Sequence, residues 1–123
     1  MNLEAGKRYK LVFDYRNYHG DGDARLLWAT PRPNMLAEAV EAAKKSDAVV
    51  LVLGLNQRLE GEEMSIQVDG FKGGDRTHLN LPKTQSDLME AIKATGKPVV
   101  LVLINGSALS INYAAENLDA ILT

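Results

Sequence analysis

The sequence predicts an α/β fold: a partial parallel-sheet α/β sandwich preceded by a short antiparallel β segment. Three observations carry this expectation. Residues 48–53 and 99–104 are continuous Val- and Leu-rich runs, the texture of parallel strands buried on both faces. Segments with helical spacing flank and separate them, so that from residue 31 the order is helix, strand, helix, strand, helix, strand. Ahead of that rhythm, residues 9–15 and 24–29 are rich in β-formers and are separated by the turn residues Asn17, Gly20, Asp21 and Gly22.

The two N-terminal runs read as a β-hairpin or a pair of antiparallel strands, which needs further strands to be stable in water. After Pro31 and Pro33, Asn34 suits the cap of a helix over residues 35–45, where Leu36, Val40 and Ala43 recur at helical spacing. Asp47 opens the first apolar strand. Pro82 suits the first turn of a second helix with Leu88 and Ile92 on one face, and Gly96 followed by Pro98 stops it. The second apolar strand follows. Ser107 or Ser110 caps a short third helix through Glu116, and residues 119–123 begin a third strand that is expected to be truncated.

With 46% hydrophobic and 24% charged residues, the composition is that of a globular protein rather than a disordered or fibrous one. Fourteen Lys and Arg are interspersed with sixteen Asp and Glu, for a formal net charge of -2. There is no basic stripe, and no nucleic-acid partner is expected. No apolar run approaches the roughly 20 residues of a membrane span, and the first seven residues lack the apolar core of a signal peptide. No membrane partner is expected. The absence of cysteine excludes disulfides, thiolate metal sites and a cysteine nucleophile. It leaves cytosol, periplasm and medium open as compartments, including export of a longer parent to the periplasm or beyond.

Ligand groups in parallel α/β sheets gather at the carboxyl ends of the strands, which directs attention to the segments after Leu53 and Ile104. The first, residues 54–81, is a long loop of the kind that is functional more often than accidental. It carries Glu60, Glu62 and Glu63. Clustered carboxylates repel one another and raise one member's pKa, giving a group able to donate a proton near neutral pH. The same charges also suit a solvated acidic surface. His19 and His78 have no companions at ligand spacing, and no metal or other cofactor is expected. Ser107 lacks the flanking glycines of a nucleophile elbow and reads as a cap. Gly70, Gly73 and Gly74 fit neither dinucleotide nor phosphate-loop spacing.

Six segments stand in a telling order: Gly54-Leu55; Leu59-Glu60-Gly61-Glu62-Glu63; Gly74-Asp75-Arg76-Thr77; Leu81-Pro82 with Gln85; Gly96-Lys97-Pro98 leading into the second strand; and Asn105-Gly106-Ser107. Together they resemble the C-terminal α/β-sandwich domain of family 3 glycoside hydrolases, over residues 31–123. Residues 1–30 are similar, more weakly, to the C-terminal tail of a protective-antigen-type β-sandwich inserted in some members, with Tyr15 and Trp28 read as packing residues.

The resemblance implies a fragment of a retaining, exo-acting β-glycosidase, β-xylosidase- or β-glucosidase-like. Such an enzyme hydrolyses O-glycosidic bonds at the non-reducing ends of β-linked oligosaccharides. Its substrate partner is that oligosaccharide, and its structural partner is the barrel domain of the parent chain. In the family an aspartate on the barrel is the nucleophile, and a glutamate on the loop matching residues 54–81 is the acid/base. The match puts that glutamate at Glu62. Double displacement needs the two carboxyl groups roughly 5 Å apart, so the isolated chain is expected to be inactive. In the commoner form a glycine follows the acid/base glutamate, whereas here Glu63 does, and Glu60 and Glu63 stay open as alternatives. Asp75-Arg76 reads as an ion pair or backbone anchor for the loop. Two other functions also fit the residues: a non-catalytic α/β module binding carbohydrate or nucleotide, and a structural interaction domain.

Overall fold

A computed structural model describes residues 3–18, 20, 22, 24–27, 33–61 and 63–123. The chain divides into two units, Met1–Pro31 and Arg32–Thr123.

The larger unit begins with α1, Met35–Lys44, an Ala-, Glu- and Leu-rich stretch of strong helix formers. Asn34 occupies the expected cap position, but its side chain makes no capping bond; only its carbonyl is engaged, by Glu38 N–H at 2.9 Å. Three parallel strands follow: β1, Val49–Gly54; β5, Val99–Ile104; and β6, Ala120–Leu122, in the order β1-β5-β6. Val49 pairs with Val99 and Gly54 with Ile104, so the two long strands end level with each other. Between β1 and β5 lies α2, Lys83–Lys93, and between β5 and β6 lies α3, Asn112–Asn117.

All three helices cover one face of the sheet. Ala43 of α1, Met89 and Ile92 of α2 and Ala114 of α3 join Leu51, Leu53, Val99, Leu101 and Leu103 in one buried cluster. The strand residues of opposite parity tell a different story. Val50 and Val52 are 62% and 58% exposed, and Leu122 is 56% exposed. The expectation that the apolar runs are buried on both faces therefore holds for one face only, because every helix among the described residues sits on the same side.

Between β1 and α2 the structure places a small antiparallel sheet: β2, Gln67–Val68; β3, Phe71–Lys72; and β4, Asp75–Arg76, in that order. The antiparallel segment thus lies inside the long loop. The hairpin expected near the N-terminus is not found among the described residues: 9–15 and 24–27 contain no strand. Leu11, Val12 and Phe13 are all exposed, so neither set of alternating side chains is buried as the inner face of a sheet would be, and among the described residues of this unit the backbone joins no strand. Tyr15 is likewise exposed rather than packed. Trp28 and residue 29 lie outside the described residues.

Candidate functional site

The loops leaving β1 and β5 emerge side by side because the strands end in register. The two loops are tied at two points: Leu55 N–H donates to Ile104 O at 2.9 Å, and Ser110 N–H donates to Leu79 O at 2.8 Å within an isolated parallel bridge between Asn80 and Ser110. Gly54 makes the close approach possible: at φ +143° a side chain there would be strained, and its Cβ would collide with the Ile104 carbonyl. The Gln85 side-chain amide closes on Gly54 from α2. Its Oε1 accepts from Gly54 N–H and its Nε2 donates to Gly54 O, each at 2.8 Å. This doubly bonded amide satisfies the Gly54 backbone groups, which face the edge of β1 away from β5 and have no ladder partner there.

Within the first loop, Asp69-Gly70 links β2 to β3 and Gly73-Gly74 links β3 to β4, since Val68 pairs with Phe71 and Lys72 with Asp75. Both are two-residue hairpin turns, and Asp-Gly and Gly-Gly are strong sequence signals for them. Those dipeptides were the cue for a sheet that reading the segment as an irregular loop misses. The second hairpin carries the acidic stretch. Gly61 N–H reaches Gly74 O at 3.4 Å, Met64 N–H reaches Gly73 O at 2.9 Å, and Gly73 N–H reaches Ile66 O at 3.0 Å. Gly74, at φ +94°, lies so close to Gly61 that a Cβ would strike the Gly61 carbonyl.

Glu62, the expected acid/base residue, lies outside the described residues; its neighbours on both sides are described. Glu60 is half-buried in the turn closed by Asn56 O, and Glu63 is exposed with φ +49°. Neither forms an ion pair with another described residue. His78 Nε2 stands 3.8 Å from Asp69 Oδ1 and its ring packs on Gly70, while its buried Nδ1 has no hydrogen-bond partner among the described residues. His19 lies outside the described residues. A cavity of about 400 Å³ opens between His78, Asn80, Lys83, Glu90 and Tyr113, away from Glu60 and Glu63.

Ser107 is not a helix cap: α3 begins after Ile111, and the Ser107 hydroxyl accepts from Arg76 at 3.3 Å. Ser110 makes no capping bond either. Of the two alternatives for Asp75-Arg76, Arg76 takes the role of backbone anchor, donating to His78 O at 3.1 Å, Asn80 O at 3.3 Å and Ala108 O at 3.4 Å.

The fold is therefore an α/β layer that presents a glutamate-rich, hairpin-supported loop at the carboxyl edge of its parallel strands. The profile described as the glycosyl hydrolase family 3 C-terminal domain matches residues 5–123, and the chain belongs to that family. It is 54% identical over 85 residues to a β-xylosidase of Formosa agariphila, covering 69% of this chain and 10% of that protein. Against a xylan 1,4-β-xylosidase of Xylanibacter ruminicola it is 42% identical over 123 residues, covering 99% of this chain and 14% of the relative. Among solved structures, a family 3 β-glucosidase of Bifidobacterium adolescentis superposes with a TM-score of 0.60 at 37% identity, over 77% of this chain and 13% of that one. The chain thus spans about a tenth to a seventh of the length of these relatives.

Proposed function

We propose that this chain is the acid/base-bearing segment of a longer retaining β-glycosidase, β-xylosidase- or β-glucosidase-like. That enzyme removes sugars from the non-reducing ends of β-linked oligosaccharides, and Glu62 is its proton donor. One observation carries the choice of Glu62. Position 63 sits in the left-handed region, φ +49°, where glycine is favoured. In the commoner family form a glycine follows the acid/base glutamate. The backbone here keeps the geometry that such a glycine serves, even though the side chain is Glu63, and this supports aligning residue 62 with the acid/base position.

The chemistry divides between two parts of the parent. The nucleophile is an aspartate on a barrel domain, attacking the anomeric carbon. Glu62 protonates the departing oxygen and, once ionised, accepts a proton from the water that releases the sugar. Among the described residues the cavity of about 400 Å³ is lined by neither Glu60 nor Glu63; in this proposal the substrate pocket needs the barrel's surface as well, and the isolated chain is inactive. Residues 1–30 are, in this proposal, the tail of a β-sandwich insert, and 31–123 are part of the α/β-sandwich domain. The names of the relatives, β-xylosidases and β-glucosidases among them, support the reaction class.

Separate Glu60→Ala, Glu62→Ala and Glu63→Ala variants in the full-length enzyme test the assignment. Loss of the acid should slow cleavage of poor leaving groups by roughly 10² to 10⁴ and spare activated aryl leaving groups. Azide should partly restore turnover and yield a β-glycosyl azide. This pattern is expected at Glu62 alone; its appearance at Glu60 or Glu63 moves the site, and its absence from all three removes the acidic loop from catalysis.

A further inference from the structure

Two residues beyond the Gly73-Gly74 turn, the Arg76 guanidinium leaves β4 and reaches the adjacent loop. Its Nε donates to His78 O and one terminal nitrogen to Asn80 O. The other, Nη1, donates to Ser107 Oγ at 3.3 Å and Ala108 O at 3.4 Å. Its Cζ stands 5.5 Å from the Phe71 ring centroid, and Phe71 is itself buried. Among the described residues none of these partners is a carboxylate. The rigid five-donor fork is committed instead to three backbone carbonyls and a hydroxyl, on two separate pieces of chain.

That arrangement completes a mechanical path. Residues 107 and 108 belong to the loop rooted on β5. Arg76 links them to β4, β4 is continuous with Gly74 and Gly73, and those two carbonyls hold the amides of Gly61 and Met64. Position 62 lies between the held amides. The placement of Gly61 and Met64 is therefore tied, through the Gly73-Gly74 turn and Arg76, to the loop after β5.

We propose that Arg76, together with Ser107, is a positioning residue for general acid catalysis: it fixes where the carboxyl of residue 62 meets the leaving oxygen by locking the β3–β4 hairpin to the loop after β5. The proposal rests on the assignment of Glu62 above. Displacing a catalytic group by about 1 Å costs on the order of 10²-fold. Here the loss must fall on the step that needs a proton. Lysine carries a single ammonium in place of the planar fork and cannot serve all four acceptors at once.

The test uses the full-length enzyme carrying this segment, with Arg76→Lys, Ser107→Ala and Glu62→Ala compared. For Arg76→Lys, kcat/KM on substrates with poor leaving groups should fall by roughly 10- to 100-fold. On activated aryl glycosides the fall should be less than about 3-fold, with KM little changed and the limb of the pH profile set by the acid displaced. Ser107→Ala, which removes one of the four acceptors and leaves the rest of the fork in place, should move in the same direction by a smaller factor. It decides the matter if the lysine variant does not fold. Equal losses across leaving groups, or none, overturn the positioning role while leaving Glu62 intact if Glu62→Ala keeps its selectivity. If Glu62→Ala lacks that selectivity, both the acid assignment and this proposal fall.

Discussion

Glu63 adopts a conformation, φ +49°, that a side chain with a Cβ enters at a cost of roughly 1–2 kcal/mol. The structure holds it there because Gly61 and Met64 on either side are bonded to the Gly73-Gly74 turn. Glu63→Gly removes that strain, at the expense of a more flexible unfolded chain. A net local gain of about 0.5–1 kcal/mol should remain, which is roughly a two- to five-fold rise in hydrogen-exchange protection at the Met64 amide. A fall in protection would mean that the Glu63 side chain contributes more to the loop than its backbone costs. Residue identity made part of this site legible. The spacing of Glu60, Glu62 and Glu63 marked the loop, and Asp75-Arg76 marked an anchor. The partner of that anchor was not legible: Ser107 looked like a cap, and only the folded chain brings its hydroxyl to Arg76, 31 residues away in sequence.

At the scale of elements, Asp119 joins three of them. Its Oδ2 accepts from Val99 N–H at 2.8 Å, at the start of β5, and from Lys93 Nζ at 3.1 Å, in the last turn of α2. Its own amide, just before β6, donates to Val99 O at 3.0 Å. The Val99 N–H bond first, and the Lys93 bond second, hold its carboxyl below the ordinary value of 3.8. A depressed native pKa means that the folded state favours the ionised form. The stabilisation is therefore complete above about pH 3.8 and is lost as the pH falls through the lower native value. Asp119→Asn should be less stable than the parent sequence by a constant margin from pH 7 down to about 4, and the two should converge only in stronger acid. Thermal unfolding followed by circular dichroism across pH 2 to 7 measures this; convergence already between pH 7 and 5 would assign the acid sensitivity to another group. The long strands and the first two helices were legible because their patterns run for six to eleven residues. The two-residue strands β2, β3 and β4 are too short to show any period and announce themselves only through their turns. The N-terminal runs fail in the opposite way: their β-formers express a preference that no strand among the described residues of 9–15 and 24–27 fulfils.

The whole molecule is governed by an imbalance between the two faces of its parallel sheet. One face is sealed by α1, α2 and α3, while the other presents Val50, Val52, Val100, Val102 and Leu122, over which the described residues of the Arg32–Thr123 unit place no second layer. Parallel sheets occur almost only with both faces covered, because every strand residue then contributes apolar burial. An open, contiguous apolar face favours association with any surface that can cover it. The isolated 123-residue chain should therefore self-associate through this face, and Val52→Lys combined with Val102→Lys should shift it toward monomer. These two residues are directly paired neighbours on β1 and β5, so the ammonium groups interrupt the patch at its centre. Their side chains are on the face opposite the buried cluster, and the helix-covered core is left untouched. Sedimentation velocity across a concentration series would read the change, with circular dichroism confirming retained structure. The same pair placed in the longer enzyme should do the reverse and lower its stability, because a charge set under a covering layer must be desolvated or must force the layer away. If the double variant associates as strongly as the parent sequence, the open sheet face is not what drives association. The exposed apolar residues of 9–15 and 24–27, Leu11, Phe13 and Leu26 among them, then become the surface to alter next.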